Sequence, residues 1–212
     1  MEATRRFCAT PSRQYNAELE QDSCDYSPTP NVITGIPPRG ESFNERMMNP
    51  RASFLPIVGT IVDVETEYFN RRSNCISNYN LTVQTDDGQE VHFIVNANTY
   101  YVDCITQKPG QRIIGFYDTS APMPLIYPPR YIIKVLALDL QNRFVNADFY
   151  DCYLVSSNQS LQLVISNNTY IIDESGHPYC GNISNRYMVA LYSQFTEDSP
   201  IVTTPYVLVV LH

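Results

Sequence analysis

Val95-Asn96-Ala97-Asn98-Thr99-Tyr100-Tyr101-Val102-Asp103 returns 70 residues later as Ile165-Ser166-Asn167-Asn168-Thr169-Tyr170-Ile171-Ile172-Asp173. In both copies a polar turn leads into a short β-branched and aromatic run that ends on Asp. Two further stretches repeat at an offset of 75. Ile113-Ile114-Gly115-Phe116-Tyr117-Asp118 matches Met188-Val189-Ala190-Leu191-Tyr192-Ser193, and Leu125–Leu136 matches Pro200–Leu211. What recurs is strand and turn, not a set of catalytic side chains. The chain therefore says more about architecture than about chemistry.

Around these anchors the first copy reads as five strands. Ile57–Glu65 is long. Asn80–Gln84 and Glu90–Val95 flank Asp86-Asp87-Gly88, a hairpin turn in which Gly takes positive φ without strain. Gln111–Asp118 and Tyr131–Leu140 complete the set, and Pro109-Gly110 turns the chain into the fourth strand. The prolines at 122, 124, 128 and 129 make a rigid extended loop with no helix. The second copy offers Phe149–Ser156, Leu161–Ile165, Arg186–Ser193 and Tyr206–Leu211. Its opening strand is ambiguous, and Val135–Asn142 is a candidate to close the first copy and open the second. Five strands with a long first member and a hairpin predict an all-β chain of two tandem OB-like β-barrels, with this strand possibly shared. The expected modules are 54–140 and 141–212. An Ig-like sandwich fits less well, because seven strands crowd a module of about 75 residues.

Residues 1–53 differ. They hold six of the fifteen prolines and few apolar residues, and read as an extended N-terminal arm. Short helical turns are expected at Gln14–Gln21 and Phe43–Met48, where Ser42-Phe43-Asn44-Glu45 has capping-box spacing and Pro50 follows. Asn31-Val32-Ile33-Thr34-Gly35-Ile36 is the one β-like run, fenced by prolines. Alone, the arm cannot bury enough apolar surface to offset its ordering entropy. It gains order by wrapping its own barrels, or by docking on a neighbouring subunit with Asn31–Ile36 as an added strand. Both readings stand at this level.

The net charge of −8 is uneven: the arm carries six Arg and seven acids, the remainder eight basic and fifteen acidic groups. An acidic body argues against phosphate-driven nucleic-acid binding, and aromatics such as Tyr79, Phe93, Tyr100, Tyr101, Phe116 and Tyr117 lack the cationic groove that base stacking needs. Lys108 and Lys134 are the only lysines, and Tyr is abundant, which suits protein contacts. No signal-peptide pattern opens the chain, and no apolar run approaches a membrane span. Asn80, Asn158, Asn167 and Asn182 begin glycosylation sequons, of a kind that arises by chance in an Asn-rich chain.

The six cysteines, Cys8, Cys24, Cys75, Cys104, Cys152 and Cys180, have no zinc-site spacing. They read as buried thiols or as disulfides formed within or between chains, with Cys8 and Cys24 the better cross-link candidates because the arm has no core to bury them. Ser175-Gly176-His177 and Tyr179-Cys180 could be read as a nucleophile and base, but nothing supplies an oxyanion loop. Asp103, Asp118 and Asp173 fall at strand ends, where carboxylates cap turns. No catalytic, cofactor or metal set emerges.

Gly115-Phe116-Tyr117-Asp118-Thr119-Ser120-Ala121-Pro122-Met123-Pro124-Leu125-Ile126-Tyr127-Pro128-Pro129-Arg130-Tyr131, with Val58-Gly59-Thr60-Ile61 before it, resembles an OB-like module of uncharacterised proteins from spore-forming Firmicutes. The likeness spans roughly Val58–Leu138, and Arg130 stands where that module carries Gln. It implies fold and lineage, not activity. The layout also resembles that of spore-appendage subunits, small β-rich proteins joined by N-terminal arms. Together these readings lead to the expectation of a non-enzymatic structural subunit. It forms a head-to-tail homopolymer at the cell or spore surface, without a classical signal peptide, through its arm. The alternative is a monomeric surface module that binds carbohydrate or peptide.

Overall fold

The computed structural model describes residues 53–69, 76–103 and 106–212. All regular structure among them is β. The twelve strands are β1 (Phe54–Tyr68), β2 (Ile76–Thr85), β3 (Glu90–Asn96), β4 (Tyr100–Tyr101), β5 (Arg112–Asp118), β6 (Arg130–Leu138), β7 (Phe144–Tyr150), β8 (Leu161–Leu163), β9 (Tyr170–Asp173), β10 (Arg186–Tyr192), β11 (Ile201–Thr203) and β12 (Val207–Val210).

The first five long strands close a barrel. β1 pairs antiparallel with β2 and β5, β2 with β3, and β5 with β6. The parallel contact of His92–Ile94 with Arg130–Ile132 shuts the cylinder. Alternation sets its inside: Leu81 and Val83 on β2, Val91, Phe93 and Val95 on β3, and Ile61, Ile113, Ile133 and Leu136 form one buried cluster. An order closed in this way is compatible with the OB-like barrel expected from sequence, and distinguishes it from an Ig-like sandwich. At the position where such barrels often place a helix, Tyr100 and Tyr101 instead pair parallel with Val135 and Leu136.

The two glycines of β1 and β5 are required by close approach. A Cβ on Gly59 would sit 2.5 Å from the Gln84 carbonyl oxygen, and one on Gly115 would sit 2.5 Å from the Phe93 ring.

The second half retraces these pairings with shorter ladders. β10 pairs with β7 and β12 as β5 pairs with β1 and β6. β9 pairs parallel with β12, and β8 parallel with β11. The registers give the correspondence. Phe116 pairs with Val135 and Leu191 with Val207, while Tyr100 pairs with Val135 and Tyr170 with Val207. The offset is therefore 70 at β4/β9, 75 at β5/β10 and 72 at β6/β12. This corrects the offset of 75 read for the last strand: Tyr131 and Tyr206 are not equivalent. Pro205 interrupts the second copy there and splits it into β11 and β12.

Two further expectations change. No strand is shared: β6 ends at Leu138, a turn closed by the Arg143 amide on the Leu140 carbonyl follows, and β7 opens the second half. The expected strand Phe149–Ser156 stops at Tyr150. There the Asp151 carboxylate accepts from the amides of Tyr153 and Val155, and Leu154 takes φ 58°. The counterpart of β2 is thus reduced to single bridges, Tyr150 to Ser156 and Val155 to Gln162.

The side chains compensate for one another between copies. By the same registers Phe93 corresponds to Leu163 and Gly115 to Ala190. Leu163 and Ala190 both belong to the buried cluster of the second half, so a ring and a bare Cα in one copy become a branched side chain and a methyl in the other.

A third cluster joins the halves: Phe54, Phe116, Val135, Ala147, Val189, Leu191 and Val209, flanked by Val102, Ile114, Ile172 and Val207. Ile114 and Val189, Phe116 and Leu191, Val135 and Val207, and Val102 and Ile172 are equivalent pairs, so each half offers the other the same face. That is the pattern of a two-fold, isologous contact, here built within one chain. Phe54 stacks on Tyr187 at 4.8 Å, and its amide donates to the buried Asp148 carboxylate at 3.1 Å.

Candidate interaction surfaces of the first barrel

Three surfaces of the closed barrel formed by β1, β2, β3, β5 and β6 are candidates for contact with a partner. The first is a strand edge. β5 ends its pairing with β1 at Arg112 opposite Thr60, and two further hydrogen bonds reach Ile61, from the Gly110 amide to its carbonyl and from its amide to the Gln111 carbonyl. Beyond a bulge between Ile61 and Asp63, β1 continues to Tyr68 bonded only to β2. Val62–Tyr68 therefore carries an edge without a backbone partner among the described residues. Asp63, Glu65 and Glu67 alternate along its exposed face; Glu67 accepts from the Asn78 side chain at 2.9 Å. Acidic side chains keep such an edge from pairing indiscriminately.

The second is a shallow depression beside it, on the outside of the barrel. Glu65 of β1 lies across from Asn80 of β2, Asn80 from Ile94 of β3, and His92 of β3 from Arg130 of β6. These five side chains line the depression. Strand alternation explains them: Leu81, Val91 and Phe93 point inward, so their neighbours point out. His92 Nε2 stands 3.4 Å from the Glu90 carboxylate. Glu65 and Arg130 have no ion-pair partner among the described residues.

The third surface is the proline-rich loop between β5 and β6. Ser120 donates twice to the Asp118 carboxylate, and Ile126 N–H donates to the Pro124 carbonyl. The loop holds Leu125 wholly exposed and Tyr127 at 89% exposure, with Met123 and Ile126 half exposed.

Elsewhere polar side chains pair within the fold. Arg143, just after the β6 turn, grips Asp103 through two hydrogen bonds of 2.6 and 2.7 Å and also donates to the Leu138 carbonyl. Burial pushes the Asp103 carboxyl up. The Arg143 hydrogen bonds, the Leu138 amide and the guanidinium charge outweigh it and hold the group below the usual carboxylate range. Sequence reading passed over Arg143 and Asp148, because their partners are distant in the chain and nothing local announces them.

Asn31–Ile36 and Cys8, Cys24, Cys75 and Cys104 lie outside the described residues. Cys152 is half-buried and Cys180 exposed, and both carry free thiols. His177 stands 3.8 Å from Asp173 in an exposed turn, whose Asp173 carboxylate accepts from the amides of Ser175 and His177. Asp173 caps that turn, and Asp118 caps its own. Among the described residues no cluster of His, Cys, Asp or Glu could hold a metal ion, and no helix is long and apolar enough to cross a membrane.

No protein-family model matches this chain, and searches of curated proteins and of solved structures returned no significant match.

Proposed function

We propose that the protein is a non-catalytic structural subunit whose two halves form a two-barrel body, and that its N-terminal arm joins copies at a cell or spore surface. The observation that carries this reading is the edge Val62–Tyr68, which has no backbone partner among the described residues. Asn31-Val32-Ile33-Thr34-Gly35-Ile36 is the β-like segment suited to add to it, exchanging main-chain hydrogen bonds with the edge. The segment itself is uncharged, with Arg39 three residues beyond it, and the edge presents Asp63, Glu65 and Glu67. An arm received by a different surface from the one that sends it forms a heterologous contact, and repetition of such contacts builds a chain of subunits. Cys8 and Cys24 then stand on the donor side, where a covalent lock to a neighbour would form. The charge-reversed variant D63K/E67K is expected to remain monomeric in full-length form at concentrations where the parent assembles. Assembly equal to that of the parent removes the edge as the docking site.

A second reading is favoured by the depression. Carboxylate, carboxamide, imidazole and guanidinium are planar groups that bond pairwise to vicinal hydroxyls, and Ile94 offers an apolar contact beside them. A carbohydrate ring suits that set. Glu65→Gln and Arg130→Ala, titrated against a panel of hexose oligomers, are each expected to weaken binding about tenfold, as the loss of one charge-assisted hydrogen bond does. Affinities indifferent to both substitutions rule this reading out.

A further inference from the structure

We infer that Phe43–Met48, the root of the arm, seats on the same chain's Met123–Tyr127 loop. The more distal arm, with Asn31–Ile36, is then free to reach another copy. The seat stands on its own geometry; the free distal segment rests on the assembly reading above.

The loop is built to present apolar groups. Pro122, Pro124, Pro128 and Pro129 fix its backbone, and hydrogen bonds hold both ends: Ala121 N–H to the Asp118 carbonyl at 3.2 Å, and His92 N–H to the Pro129 carbonyl at 2.9 Å. Met123, Leu125, Ile126 and Tyr127 project from it into solvent. Such a rigid display loses little conformational entropy on being covered, and apolar groups gathered at this density mark a contact site.

The chain itself says what covers it. The Ser53 carbonyl accepts from Thr119 twice, from the amide at 3.1 Å and from the hydroxyl at 2.9 Å. The arm therefore leaves the barrel at the base of this loop, four residues before Met123. From Ser53 back to Met48 the chain spans at most about 18 Å. Ser42-Phe43-Asn44-Glu45 has the spacing of a helix start, and Phe43 and Met47, four apart, would share one face of that helix. Methionine adapts to irregular apolar surfaces, which a loop of this kind presents. So short a tether gives an effective concentration of order millimolar, far above that of any second copy in dilute solution. Asn31–Ile36 lies a further seven residues or more from the root and escapes that constraint.

Hydrogen exchange on the full-length chain tests the seat, comparing the parent with Leu125→Ser/Tyr127→Ser. Both substituted residues are exposed, and the amides of β5 and β6 report that the barrel is intact. The amides of residues 43–48 are expected to exchange at least tenfold faster in the variant, with β5 and β6 unchanged. Equal exchange in the two proteins overturns the proposal. So does protection of 43–48 that vanishes on dilution, because that places the root on another copy. Should the loop variant lose β5 protection, Phe43→Ser/Met47→Ser answers the same question from outside the barrel: protection of the loop amides that does not fall overturns the seat. Monomeric protein with a protected root leaves the seat standing and removes the assembly reading. Assembling protein with an unprotected root does the reverse.

Discussion

Phe93→Ala is expected to lower stability by about 3–5 kcal/mol, the usual range for emptying the site of a buried aromatic ring. Phe93 is fully buried, its ring lies against the point where Gly115 lacks a side chain, and it belongs to the cluster that fills the first barrel. The relation between the copies makes the prediction sharper. Gly115→Ala, which drives a methyl to 2.5 Å from the ring, is expected to cost about 1–3 kcal/mol by overpacking. Combined with Phe93→Leu it should cost less than the sum of the two single changes, because Leu and Ala together restore the pairing that Leu163 and Ala190 use in the second half. Urea unfolding of the four proteins gives the coupling. Additive losses would mean that the equivalence drawn from strand registers has no energetic content.

Arg143→Met is expected to cost about 3 kcal/mol. Its guanidinium and the Asp103 carboxylate keep 12% and 20% of their side-chain surface, so removing the cation strands a mostly buried anion. The pH dependence carries the sign. Asp103 has a folded pKa below its unfolded value, so its contribution is complete above the unfolded value near 3.9 and is lost as pH falls through the lower folded one. Without Arg143, burial pushes the Asp103 carboxyl of the variant up. The difference in stability between parent and variant should therefore be full at neutral pH, narrow as acid protonates the stranded carboxyl of the variant, and narrow further as pH falls through the lower folded value of the parent. A difference that does not shrink in acid would contradict an ionic origin. Arg143 sits where β6 gives way to β7, so the same change is expected to loosen the seam between the halves before it disturbs either core.

Much of the architecture was legible because strand alternation is local. The runs at Glu90–Val95 and Gln111–Asp118 announce their buried faces within a few residues, and the barrel follows. The repeat was legible too, but its last register was not. Tyr131 and Tyr206 look alike in sequence, whereas pairing depends on where Pro205 breaks the strand, and that is fixed by neighbours far along the chain. Phe144–Tyr150 escaped notice for a different reason. Asn146 and Asp148 interrupt its apolar pattern, and Asp148 is tolerated inside only because the amides of Phe54 and Phe149 and the Ser157 hydroxyl satisfy one of its oxygens. The depression at Glu65, Asn80, His92, Ile94 and Arg130 draws on four strands and has no signature in one dimension.

The isologous seam bears on how copies can meet. The faces that the halves share are spent on each other, so the body offers no further copy of that surface for stacking. Under the proposed assembly, contacts between copies would fall to the β1 edge and to the arm. The proposed root on Met123–Tyr127 would give that arm a fixed point of departure, leaving a tether of about forty residues.

Light scattering of the full-length chain and of residues 53–212 over a wide concentration range tests arm-mediated assembly most directly. The account predicts that the mass of the full-length protein climbs with concentration while the shortened protein stays at one chain. Full-length protein that remains a monomer throughout, or shortened protein that assembles equally well, would contradict it.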